Sequence, residues 1–215
     1  MGKDASSTAI IGGTDGPTAV AVIKRNPKLT FGQKIRKLVY TIKRNHVVKT
    51  IKAESHSMEE VMEYIVNKHG FLELDSSKVQ QEYKEMRASL LMQHAPELLG
   101  QYATMPKLKS ESKEDIQAYI KYLQERQQRA KDIPTADFDI DFHKFQTTYE
   151  NSDNNMYITV EKRFSYIGGG VSRSKKSKKR FQRIYKDVYR YYGVTREDIE
   201  NKSKRYEQLI QALTR

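Results

Sequence analysis

Cationic residues are gathered into two stretches whose apolar residues keep a helical period, and this pairing limits the fold more than any other feature of the chain. Residues 24–52 hold ten Lys and Arg and no acid, and residues 173–190 hold nine against a single acid, Asp187. Together the two stretches carry +18 while all 215 residues carry +12, which leaves about −6 for the remainder. In the first stretch Phe31, Ile35, Leu38, Val39 and Ile42 recur every three to four residues; in the second Phe181, Ile184, Val188 and Tyr192 do the same. That spacing puts the apolar groups on one side of a helix and the cations on the others. Two basic amphipathic helices on an otherwise acidic-to-neutral body are therefore expected.

Most of the remaining chain also reads as helix. Ser57 stands three residues before Glu60, a capping box that opens a helix carrying Met58, Val61, Met62 and Ile65 and closing at Gly70. Ser77 and Gln80 repeat the pattern ahead of Val79, Tyr83, Met86, Leu90 and Leu91, with Pro96 as the stop. Ser112 opens a third helix, with Glu114 and Asp115 in its first turn, where acids suit the macrodipole. From Phe138 to Phe142 the period falls to two, with Asp137, Asp139 and Asp141 alternating against the apolar residues, so a strand or extended segment is expected. Residues 151–155 read as a turn, 156–167 as a second strand, and Gly168, Gly169 and Gly170 as a hinge before the second basic helix. The expected fold is mainly α: a flexible Gly-containing arm (1–28), a helical body (29–132), and a small β-hairpin followed by the basic and terminal helices (133–215).

Composition excludes several functions. With no cysteine, disulfide scaffolds, thiol nucleophiles and thiolate zinc sites are ruled out. The longest apolar stretch, residues 9–23, is interrupted by Asp15 and Pro17, whereas a spanning helix needs about 20 apolar residues. No transmembrane segment is expected, and the chain reads as soluble and cytoplasmic. The five histidines lack paired metal-ligand spacing and read as surface or helix-end groups. No P-loop, nucleophile elbow or dinucleotide fingerprint is present. No cofactor or metal is expected.

Residues 10–20 read IIGGTDGPTAV. This run resembles the IIGGADGPT signature of the β subunit of sodium ion-translocating decarboxylases, with Thr14 in place of the alanine. The resemblance covers about a dozen residues. It implies a membrane sodium-transport role in which Asp15, framed by Gly12, Gly13, Gly16 and Pro17, handles sodium ions and protons. The chain is also similar to small soluble bacterial proteins that carry this motif near the N-terminus ahead of a basic helix. Read from the residues alone, 1–28 is a flexible arm, with Asp15, Gly16 and Pro17 forming a turn, or a docking peptide for a protein partner.

The cations supply the leading functional expectation, a non-enzymatic protein that binds a polyanion, with nucleic acid as first choice. Lys34, Arg36, Lys37, Lys43 and Arg44 in the first block and Lys175, Lys176, Lys178, Lys179, Arg180 and Arg183 in the second are the candidate phosphate contacts. Tyr185, Tyr189, Tyr191 and Tyr192 offer rings for stacking, or pack inward instead. An enzymatic alternative places Asp137, Asp139 and Asp141 around a divalent cation as a metal-dependent transferase.

Overall fold

A computed structural model of the chain describes residues 30–108, 110, 112–149, 151–171 and 175–214. The arm and its motif, including Gly13, Asp15 and Gly16, lie outside the described residues. Within them the fold is mainly α, with a small antiparallel sheet formed largely by the C-terminal half.

The chain divides into two compact units. Described residues up to Leu74, together with His143 onward, form one; Asp75–Phe142 belong to the other. This division cuts across the boundaries read from the sequence. Both N-terminal helices belong with the C-terminal segment, because the sheet joins Leu72 to Gln146, 74 positions further along the chain.

In the first unit, α1 (Phe31–Thr50) is followed by a two-residue strand β1 (Glu54–Ser55), then α2 (Met58–His69) and β2 (Leu72–Glu73). The chain returns as β3 (Phe142–Tyr149), β4 (Asn151–Glu161), β5 (Tyr166–Val171), α5 (Lys175–Tyr192), β6 (Gly193–Val194), α6 (Arg196–Asn201) and α7 (Lys204–Thr214). Strands pair in the order β2-β3-β4-β5, and β1 pairs antiparallel with β6. The core lies between sheet and helices: Val61 and Ile65 of α2, Phe145, Ile158 and Val160 of the sheet, Val188 of α5 and Ile210 of α7 are all buried. Removing such side chains from water, at roughly 25 cal/mol per Å² of apolar surface, is the main force holding these elements together.

The Ser57–Glu60 capping box forms as read: Ser57 Oγ accepts from the Glu60 amide at 3.2 Å, and the Glu60 carboxylate accepts from the Ser57 amide at 2.7 Å. The second expected box does not form. Asp75 instead caps a 3₁₀ turn, its carboxylate taking the Ser77 amide at 2.8 Å, and α3 (Gln80–His94) starts without a side-chain cap. Asp75 starts the turn ahead of Ser77, and the Ser77 hydroxyl is itself bound to the Asp75 carboxylate rather than left to cap α3.

Three further readings are corrected in the C-terminal half. Residues 151–155 are not a turn but the start of β4, and the chain reverses at 162–165. Buried Glu161 makes that reversal, its carboxylate accepting from the Arg163 and Phe164 amides at 3.1 and 2.7 Å. Gly168, Gly169 and Gly170 are not a hinge but the middle of β5, in register with Thr159, Ile158 and Tyr157. A Cβ on Gly169 would sit 2.5 Å from the Tyr157 carbonyl oxygen and 2.9 Å from the Phe181 ring. The glycine therefore allows α5 to lie close on the sheet. The segment carrying Asp137, Asp139 and Asp141 is turn and coil, since β3 begins only at Phe142. Asp139 is committed to the fold, accepting from the Tyr83 hydroxyl and the Ile140 amide.

The second unit is α3 and α4 (Lys113–Asp132) packed around the 3₁₀ segment Pro96–Tyr102, with Ala88, Leu91, Leu99, Ala130 and Ile133 at its centre. Ser112 caps α4 as expected, accepting from the Asp115 amide at 3.1 Å. Arg87, only 3% exposed, donates to the carbonyls of Ile133, Pro134 and Phe138. Replacing Arg87 with Met leaves those acceptors without their donor, and urea unfolding is expected to show a loss of about 2–4 kcal/mol. Gly193, at φ 56, gives a second check: a Cβ there would run into the Glu54 carbonyl oxygen. Gly193→Ala is expected to cost about 2 kcal/mol or more in the same assay.

Candidate polyanion-binding cleft

The cleft follows from the way α2 and α5 pair. Phe181, Ile184, Val188 and Tyr192 face the core as read, joined by Ser177 and Tyr189. Burying that side turns Lys175, Lys176, Lys178, Lys179, Arg180 and Arg183 outward, and all six are exposed. α2 runs antiparallel along α5: His56 at its N-terminal end stacks on Tyr191, and His69 at its C-terminal end meets Asp187. Between the end of α2 and the first turns of α5 lies a cleft of about 490 Å³, lined by Lys68, His69, Lys176, Lys179, Arg180, Arg183 and Ile184.

A chain of contacts fixes the rear of this cleft. His56 Nδ1 is 2.6 Å from the Tyr191 carbonyl oxygen, and the Tyr191 ring stacks on Tyr64 at 3.9 Å. The Tyr64 hydroxyl donates to Asp187 at 2.8 Å, and His69 Nε2 lies 3.1 Å from the same carboxylate oxygen. Lys68 reaches both, at 2.6 Å from the Tyr64 hydroxyl and 3.4 Å from Asp187. Asp187 is thus held behind the cleft wall, facing His69 and Lys68. Burial pushes its carboxyl up, but hydrogen bonds from Tyr64 and Lys68 outweigh this and hold it below the ordinary range.

The first turn of α5 has no acid and carries Lys175, Lys176 and Lys178 at the positive end of the helix dipole. Cations at this end run against the dipole, and an anion bound there suits it. The other end of α5 adds to the cationic surface. Lys186 is held below its ordinary pKa by burial and by repulsion from Lys43 and Arg190. Lys43 belongs to α1, so tertiary packing brings the two basic stretches together.

The candidates read from the sequence separate accordingly. Lys176, Lys179, Arg180 and Arg183 line the cleft; Lys175 and Lys178 stand on the same exposed turns of α5. Lys43 joins Lys186 and Arg190, while Arg44 is bound to the Glu207 carboxylate of α7 at 3.0 and 3.1 Å. Lys34, Arg36 and Lys37 lie on the exposed N-terminal half of α1 and do not line the cleft. Sequence reasoning missed Lys68 and His69, which fall outside both basic stretches. Their only signal was a place at the C-terminal end of a helix, where cations are expected in any case. Tyr185 and Tyr189 pack inward, both donating to the Ile167 carbonyl, so they offer no stacking platform. Among the described residues no group of three or more His, Asp or Glu is arranged to hold a metal ion, and the aspartate series does not converge on one. Also among these residues, no helix is long and apolar enough to cross a membrane. Comparison with protein-family models, curated proteins and solved structures gave no match.

Burial lowers the pKa of His69 below its ordinary value of 6.5 against the pull of Asp187, and Lys68 and Arg180 repel its charged form. The unfolded chain therefore takes up this proton more readily than the folded one. Stability is complete above pH 6.5 and declines as pH falls through that value toward the lower pKa of the folded state. Urea unfolding across this range is expected to show the decline in the natural chain and a flatter profile in His69→Gln.

Proposed function

We propose that the protein is a non-enzymatic binder of a phosphate-bearing polyanion, nucleic acid in first place, and that the α2–α5 cleft is where the phosphates sit. The cleft itself carries this reading: apart from Ile184 its lining is entirely Lys, Arg and His. Cationic side chains of this kind neutralise backbone phosphates and release counterions, without needing a base-reading motif. Lys175 and Lys178 extend the track along α5, and Lys43, Lys186 and Arg190 extend it toward α1. A phosphate in the cleft would also favour protonated His69, so affinity should rise as pH falls below neutrality. A cytoplasmic location accompanies this reading. The sodium-transport role implied by residues 10–20 draws no support from the described residues, and neither does the metal-dependent transferase built on Asp137, Asp139 and Asp141.

Fluorescence anisotropy with labelled single-stranded RNA and DNA provides the test. With about four to six phosphates neutralised, log affinity should fall against log salt with a slope of roughly −3 to −4. Lys176→Glu with Lys179→Glu should weaken binding by more than about tenfold and flatten that slope. Absence of binding at low ionic strength, or a pair of charge reversals without effect, overturns the proposal.

A further inference from the structure

The apolar side of α1 has no partner among the described residues. Phe31 is 79% exposed, Leu38 61% and Ile42 60%, with Ile35 and Val39 at 46% each, and the helix buries no side chain fully. At about 100° per residue these five side chains fall within an arc of roughly 100° and a length of about 17 Å. The body meets the helix elsewhere. Arg44 binds Glu207, and Val47 and Val48 pack partly buried against the core, all three projecting from the side opposite the apolar arc. The stripe is therefore not an unfinished edge of the core but a face directed away from it.

Cations border that stripe on both sides. Lys34 flanks one edge and Arg36 and Lys43 the other, and no acid occurs anywhere from residue 24 to 52. The Thr30–Gln33 capping box starts the helix in the described structure, with Thr30 accepting from the Gln33 amide at 3.3 Å. Yet the exposed N-terminal half of this helix gains little stability in water without burying its apolar side.

We infer that this face of α1 docks onto an anionic lipid bilayer surface, with the apolar stripe seated at the headgroup–acyl boundary and the flanking cations on the lipid phosphates. A planar surface needs one side of the helix only, and the opposite side is taken by the body from Arg44 onward. A second copy of the chain is disfavoured, since pairing two such faces would set Lys34, Arg36 and Lys43 against their equivalents without an acid between them. Nucleic acid would engage the cations but leave the stripe in water. Apolar burial and attraction to anionic headgroups act together at a bilayer, and each cation near the surface adds about fivefold in affinity.

The chain has no tryptophan, so Phe31→Trp places a single indole at the exposed start of the stripe. The full chain with this reporter is mixed with vesicles of phosphatidylcholine alone, or of equal parts phosphatidylcholine and phosphatidylglycerol. Its emission should shift to the blue, and the protein should sediment, with the anionic vesicles only. Leu38→Asp with Ile42→Asp should reduce vesicle binding more than about tenfold while leaving the thermal unfolding midpoint unchanged, because neither side chain is buried. Lys34→Gln with Arg36→Gln should weaken it by about tenfold or more. The Lys176→Glu, Lys179→Glu protein should retain vesicle binding, which separates this surface from the cleft. Equal binding to neutral vesicles, or no binding, overturns the inference. So does an indole already blue-shifted without vesicles and unmoved by them, which would show the stripe covered by the chain itself. Conversion of a dimer to a monomer by the two aspartates, without vesicle binding, would identify a subunit seam instead.

Discussion

Where its helices end, this protein relies on arginine donating to main-chain carbonyls. The last carbonyls of a helix have no partner within it, and burying them unpaired is costly. At the end of α5, Arg205 donates to the carbonyls of Gly193, His56 and Tyr192 while its guanidinium lies 3.7 Å over the Tyr192 ring. That one side chain joins α7, the β1–β6 pair and the entry to α2, and so fixes the antiparallel placement of α2 on α5. Arg87 does the same work for the loop after α4, and Arg126 for the Tyr102 and Met92 carbonyls. A planar fork of donors suits several acceptors converging on one point, which lysine cannot match.

The candidate cleft is a consequence of that arrangement. Once α2 lies antiparallel on α5 with its C-terminal end beside the first turns, Lys68 and His69 are delivered to the cationic side of α5. Asp187, the single acid of the second basic stretch, is turned to the Tyr64–His69 side, where it orders the wall. The remaining charge on this side is almost wholly positive and concentrated at the positive end of a helix dipole. Such a surface is locally unfavourable for folding.

The two basic helices have unlike environments despite similar sequence patterns. In α5 the apolar stripe is core, pressed on the sheet at Gly169; in α1 the equivalent stripe faces out, and contact with the body comes from Arg44, Val47 and Val48 instead. Periodicity identifies an amphipathic helix in both cases. It cannot say whether the apolar side meets the protein's own core or something else.

Local signals in the sequence determined the helices at α1, α2, α4 and α5, the Ser57 and Ser112 caps, and the inward stripe of α5, since these depend on neighbours within a turn or two. They determined also that α5 would present Lys175 to Arg183 on one exposed side. Only the tertiary structure decided what needs partners distant in the chain. Pairing of β2 with β3 set which segments form each unit, and a buried carboxylate at Glu161 made a turn where no Gly, Pro or Asn marked one. Cross-strand packing placed three glycines inside a strand rather than at a hinge, and the Tyr83 and Ile140 contacts of Asp139 turned an alternating pattern into coil. Above all, the meeting of Lys68 and His69 with Lys176, Lys179, Arg180 and Arg183 spans more than a hundred residues of chain. A period of 3.6 or 2 records which side of an element is apolar, and contains no record of what lies across from it.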